Sequence, residues 1–246
     1  MVCNSGASLV PSIDGSLHHF NNVGLYDALF VMQDTETKTL WNHITGEALY
    51  GPLAGRTLGP IGNLLPMNVK QALESDPRTQ IAISDQPYLA GGKQFGSGGA
   101  MHGGAGTNGP ASNAKLSDMF VQTLGKEDTR RPRMDLGLGV WSSESSRYYP
   151  LELIRKRGRA FIDRIDGKRT LIYIDPETNN PAAVFVNASA AQFAGSDVRL
   201  DDGTVLRAGV LLDRRGKPRS VQRPLQMFTR WYGFALTFPG SQVVGQ

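Results

Sequence analysis

A single cysteine, Cys3, is all this chain carries, so no disulfide can form within it and cysteine usage says little about its redox compartment. Histidine is almost as scarce, with His18, His19, His43 and His102 the only four and nothing of either type after His102. No apolar run approaches the roughly 20 residues that a membrane-spanning helix needs. The start of the chain lacks a charged segment leading into an apolar one, so no signal peptide is read there. Nor does any stretch carry a catalytic signature. The glycine-dense segment Gly91–Gly109, with nine glycines in nineteen residues, includes GSGGAMHGGAG. A phosphate cradle would need a Lys-Ser/Thr pair between a strand and a helix, and neither is present. The segment reads as a linker, because backbone freedom without side chains to bury gives no core.

What is present suits one large or two small domains with a substantial core: 246 residues, 40% of them hydrophobic. The net charge of +4 is unevenly spread. Residues 1–123 hold 6 basic and 9 acidic side chains, net −3, and residues 124–246 hold 20 and 13, net +7. The densest basic run, Arg155 to Arg169, has Asp163 and Asp166 interleaved and no stacking aromatics, which favours a solvated or protein-facing surface over nucleic acid.

The chain is organised around Gly24–Gly55. Leu29–Met32 reads as a buried strand, Asp34-Thr35-Glu36-Thr37-Lys38 as a hairpin turn, and Leu40-Trp41 as the returning arm. Before it, residues 1–34 read as short strands with turns at 12–15 and at Asn21-Asn22. After it, Met67–Glu74 is a short helix behind Pro66, and Trp231, Tyr232 and Phe234 sit in a helix whose aromatics are core anchors. Leu116–Leu124 is a short amphipathic stretch. Arg169–Ile174, Ala183–Val186, and the two arms around Asp201-Asp202-Gly203 are strands.

The order DxxTxxxW (Asp34, Thr37, Trp41), then Thr45-Gly46-Glu47 and Gly51-Pro52-Leu53-Ala54-Gly55, resembles the bacterial domain family DUF3179. MVCNSG, GLYDALFVMQD, MDLGLGVWSSESSRYYPLELI and FTRWYGFALTFPGSQVVG resemble further family segments, so the likeness covers nearly the whole chain. It implies a β-rich fold and an extracytoplasmic (periplasmic) location, and no established activity.

An internal duplication is also read, with Phe30–Asp34 matching Gly209–Asp213 and Pro66 matching Pro224. The expected architecture is therefore α+β, predominantly β, as two divergent β-rich repeats packed as one body. Residues 1–90 form repeat one, lacking its N-terminal part, 91–133 the glycine-rich linker, and 134–246 repeat two. On this reading Leu29–Asp34 and Gly209–Asp213 are equivalent strands, and Asp34 and Asp213 cap their turns.

Of the two repeats, only repeat one holds thiol and imidazole. Cys3, His19 and His43 form the candidate metal set, for zinc or copper, since thiolate and imidazole are their preferred donors. Glu47 is the candidate partner behind them, and strand alternation places His18 and His19 on opposite faces. A Cys3 nucleophile with a histidine base lacks an elbow motif, and no catalytic residue is assigned. The expected function is a non-enzymatic binding or accessory module with a protein partner, no nucleic acid, no transmembrane segment of its own and no cofactor. It would be an extracytoplasmic subunit docked on a larger assembly. A metal-binding or redox protein using the Cys/His site is the alternative.

Overall fold

The computed structural model describes residues 6–59, 61–81, 83 and 118–246. Cys3, His102 and Gly91–Gly109 lie outside the described residues, and with them the linker expectation and the cysteine arm of the metal set. Among the described residues the fold is predominantly β, as expected: nineteen mostly short strands and four short helices.

In chain order, β1 (Ala7–Leu9), β2 (Ser12–Ile13) and β3 (Ser16–Leu17) lead into an antiparallel meander of β4 (Phe20–Tyr26), β5 (Leu29–Asp34), β6 (Leu40–Asn42) and β7 (Ala48–Tyr50). Next come β8 (Ile61–Asn63), which pairs back to β1, then α1 (Val69–Ser75) and α2 (Asp118–Val121). The second half opens with β9 (Leu136–Trp141), β10 (Ser146–Pro150) and α3 (Leu151–Lys156). The three-stranded sheet β11 (Ala160–Ile165), β12 (Lys168–Ile174), β13 (Pro181–Phe185) follows. A second meander, β14 (Ala191–Ala194), β15 (Asp197–Leu200), β16 (Val205–Arg207), β17 (Val210–Leu212), comes after it. The chain closes with β18 (Leu225–Arg230), α4 (Trp231–Thr237) and β19 (Gln242–Val243), and β18 and β19 complete the sheet of β9 and β10.

Residues 12–15 form a tight hairpin, as the sequence suggests. Asn21-Asn22 is not a turn. It sits inside β4, where a bulge between Asn22 and Gly24 takes up the irregularity. The actual turn is Asp27-Ala28, both at positive φ (54° and 55°), the geometry of a two-residue hairpin. Alanine is a poor choice there, and a residue distant in sequence holds it: Asp27 N–H donates to the Thr123 carbonyl and Ala28 N–H to Thr123 Oγ1.

The Asp34 turn recurs in a place the sequence comparison did not indicate. Asp34 Oδ1 accepts from Thr37 N–H (2.5 Å) and lies 2.8 Å from Thr37 Oγ1; Asp175 Oδ1 accepts from Thr178 N–H (2.8 Å) and Oγ1 (3.0 Å). The backbone agrees: Lys38 N–H donates to Asp34 O, and Asn179 N–H to Asp175 O, with φ of 62° and 57° at the two donors. Each aspartate then takes a further buried N–H donor, Trp41 Nε1 on Oδ2 of Asp34 and Gln71 Nε2 of α1 at 3.0 Å from both oxygens of Asp175. Both turns follow the middle strand of a three-strand unit, β4-β5-β6 and β11-β12-β13. Asp213 also caps its turn, accepting from Arg215 and Lys217 N–H, but this turn is a residue shorter and β17 is an edge strand, where β5 is internal.

Trp41 anchors a small core with Ile13, Ala48 and Leu58. The largest core joins the halves: Ala28, Leu29 and Ile44 pack in one cluster with Trp141, Tyr148, Trp231 and Phe234. Asn63 adds a polar link, donating to Pro224 O and accepting from Gln226 N–H.

Candidate metal centre

The link between β3 and β4 carries His18 and His19, and the hairpin after β5 folds Glu36 back over it. Thr35 N–H donates to His19 O, and His19 N–H donates to Glu36 Oε2. As alternation requires, the two imidazoles part: His18 is 8% exposed and His19 is 70% exposed.

His18 Nδ1 is buried without a hydrogen-bond partner, 3.6 Å from Asp34 Oδ1 and 3.8 Å from Glu36 Oε2. His18, Asp34 and Glu36 offer ligand atoms that all lie within 4.8 Å of one another, the one such trio of histidine, cysteine and carboxylate groups among the described residues. Burial alone would raise the Asp34 carboxyl, but hydrogen bonds from Trp41 and Thr37 outweigh it and hold it down at about 2. Hydrogen bonds from His19 hold Glu36 at about 2 as well. Both carboxylates are therefore charged at any physiological pH.

A neutral His18 with its Nδ1 lone pair facing two anions is repulsive. The space between them is satisfied by a proton on Nδ1, which the neutral Nδ1–H tautomer supplies, or by a metal ion on the Nδ1 lone pair. Asp34 retains room for it. Thr37 Oγ1 lies within 2.8 Å of both Asp34 oxygens but has a single proton to give, so one carboxylate lone pair stays open. The hydrogen bonds that fix Asp34 are the kind that orient a ligating carboxylate.

Of the sequence-derived set, His19 reaches this centre only through Glu36, to which its Nδ1 lies at 2.7 Å. His43 stands apart: its Nδ1 is 2.8 Å from the Phe30 carbonyl and its ring packs edge-on to Phe30. Glu47 is exposed and meets neither ring. Asp34 and Glu36 were missed as donors because both read as turn residues. The signal that could have found them is the pair of carboxylates two apart in a tight turn beside a His-His step.

The model of the family described as "Protein of unknown function (DUF3179)" matches residues 1–239, and the chain belongs to that family. No curated protein and no solved structure matches the chain.

Proposed function

We propose that this protein is a non-enzymatic binding module whose first meander holds a divalent transition ion, zinc, on His18, Asp34 and Glu36. The observation that carries the reading is the buried, unpartnered His18 Nδ1 between two permanently charged carboxylates. With neutral imidazoles the pocket carries −2, which one divalent ion neutralises. An imidazole and two carboxylates are a donor set that zinc accepts, at about 2.0–2.2 Å. The donors would need only small side-chain shifts, and Glu36 is on a turn that can supply them.

Zinc titrated into metal-stripped protein at neutral pH should bind with one-to-one stoichiometry by calorimetry. His18→Gln and Glu36→Gln should each abolish the binding, and Cys3→Ser should leave it intact. Zinc lost in Cys3→Ser but kept in His18→Gln would move the site to the Cys3, His19 and His43 set. No binding at micromolar zinc would end the metal reading.

A protein partner is supported by a second observation. Every exposed large hydrophobic among the described residues lies between Val10 and Met119, with Leu17 and Tyr26 at 61% and Tyr50 at 74%, and none follows. Exposed apolar side chains concentrated in one part of the chain are where a contact surface would be sought. With the net −3 of that half, the partner surface would be apolar with a basic rim, in keeping with an accessory subunit of an extracytoplasmic assembly. No helix of the described residues is long and apolar enough to cross a membrane. The twin Asp34 and Asp175 turns support two divergent repeats, in register at those aspartates rather than at Asp34 and Asp213.

A further inference from the structure

A depression in the second half, remote from the meander of residues 20–50, has the opposite charge. It lies between β12, the end of β13, and the loops that flank β16 and β17. It has two lobes of about 350 and 460 Å³ that share Asn187, Asp202, Thr204 and Arg219. Lys168 and Arg169 line one lobe, Arg214 and Arg215 the other, and Arg219 both. None of these five cations forms a close ion pair with a carboxylate, Lys168 only helping from a distance to hold the Asp166 carboxyl below its usual range. Five other arginines of this half, Arg130, Arg131, Arg133, Arg147 and Arg207, are each in an ion pair.

The two acidic side chains present, Asp202 and Asp213, are turned to their own loops. Asp202 accepts from Thr204 N–H and Oγ1, and Asp213 from Arg215 and Lys217 N–H. Five cations against two carboxylates leave the depression at +3. Two guanidinium groups are also set in place without being neutralised. Arg169 Nη1 donates to Asn187 O and Arg214 Nε to Asp202 O, so main-chain carbonyls orient the forks while their charge stays available. Guanidinium forks of this kind match the geometry of phosphate oxygens.

We propose that this depression binds a small molecule carrying several linked phosphate groups. A nucleic-acid strand fits less well. Strand binding uses exposed aromatic platforms. Here the aromatic in reach, Phe185, is already covered by Lys168 Nζ at 5.1 Å, and no large hydrophobic of residues 120–246 is exposed. The cations gather around two adjoining open lobes, an area that suits a compact, multiply charged anion.

The test is calorimetric titration of the full chain with inorganic tripolyphosphate, orthophosphate and a single-stranded oligonucleotide at physiological salt. Tripolyphosphate should bind, and Arg169→Gln and Arg219→Gln should each weaken it about tenfold, the effect of losing a charge-assisted contact. Lys156→Gln, which removes the same charge from α3 outside the depression, should leave the affinity unchanged. All three positions are exposed, so the melting temperature of each variant should stay at that of the parent chain. The proposal is overturned by no binding, by equal loss in Lys156→Gln, by orthophosphate binding as tightly as tripolyphosphate, or by an oligonucleotide that binds more tightly and displaces it.

Discussion

Asp34 supports the fold only as an ion. Its buried carboxylate accepts from the buried Trp41 Nε1 and from the half-buried Thr37. The folded carboxyl titrates at about 2 against an ordinary 3.8, so the unfolded chain takes the proton first. The associated stability is complete above about pH 4 and drains away as the pH falls through 2, roughly 2 kcal/mol in all. Urea unfolding at pH 5 and pH 2.5 should show that loss, and Asp34→Asn should be less stable at pH 5 while losing less between the two. An unchanged acid loss in the variant would assign it to other carboxylates. At this scale the sequence was half legible. Imidazoles and carboxylates crowd residues 18–47, which marks the stretch as metal-capable. Which of them meet depends on the turn folding Glu36 onto a link seventeen residues earlier, a contact that no local pattern encodes.

Strand β9 shows why an element can need residues that its propensities disfavour. Gly139 leaves no room for a side chain: a Cβ there would come within 2.3 Å of the Phe234 ring. At Gly137 the obstacle is backbone, the Tyr149 carbonyl at 2.5 Å. Neither glycine serves flexibility; they let α4 pack on the sheet and β10 pair closely with β9. Gly139→Ala should destabilise by about 1–3 kcal/mol through overpacking, read by thermal or chemical unfolding. A neutral result would mean that α4 slides without cost. Strands and helices were legible in outline, since Lys168–Ile174 and Trp231–Thr237 fall where the apolar runs place them. The Asp27-Ala28 turn was not, because alanine at positive φ carries no turn signature and Thr123, a hundred residues away in sequence, stabilises it. The Asp175 turn escaped for a related reason. Where the first turn has Trp41 seven residues on, the second has Ala182, and the indole's role falls to Gln71 from another element.

The molecule as a whole is joined through its largest core. Leu29 sits at 5% exposure among side chains of which most belong to the second half. Leu29→Ala should cost about 2–5 kcal/mol, and unfolding should remain one transition in which far-ultraviolet circular dichroism and tryptophan fluorescence coincide. Separate transitions, with the second half unaffected, would show that the halves fold independently. The β-rich class was legible from alternation and turn spacing. The pairing of β1 with β8 and the docking of Asn63 on β18 were not, being long-range choices made by packing.

That docking has a consequence during synthesis. Asn63 waits for Pro224, 161 residues further along the chain, and Leu29 waits for Trp231. At about 5–20 residues per second the first meander leaves the ribosome on the order of 10–30 s before its cover exists. Its hairpins can close in microseconds, but the apolar flank stays uncovered for nearly all of that time, the period in which a newborn chain most needs a chaperone.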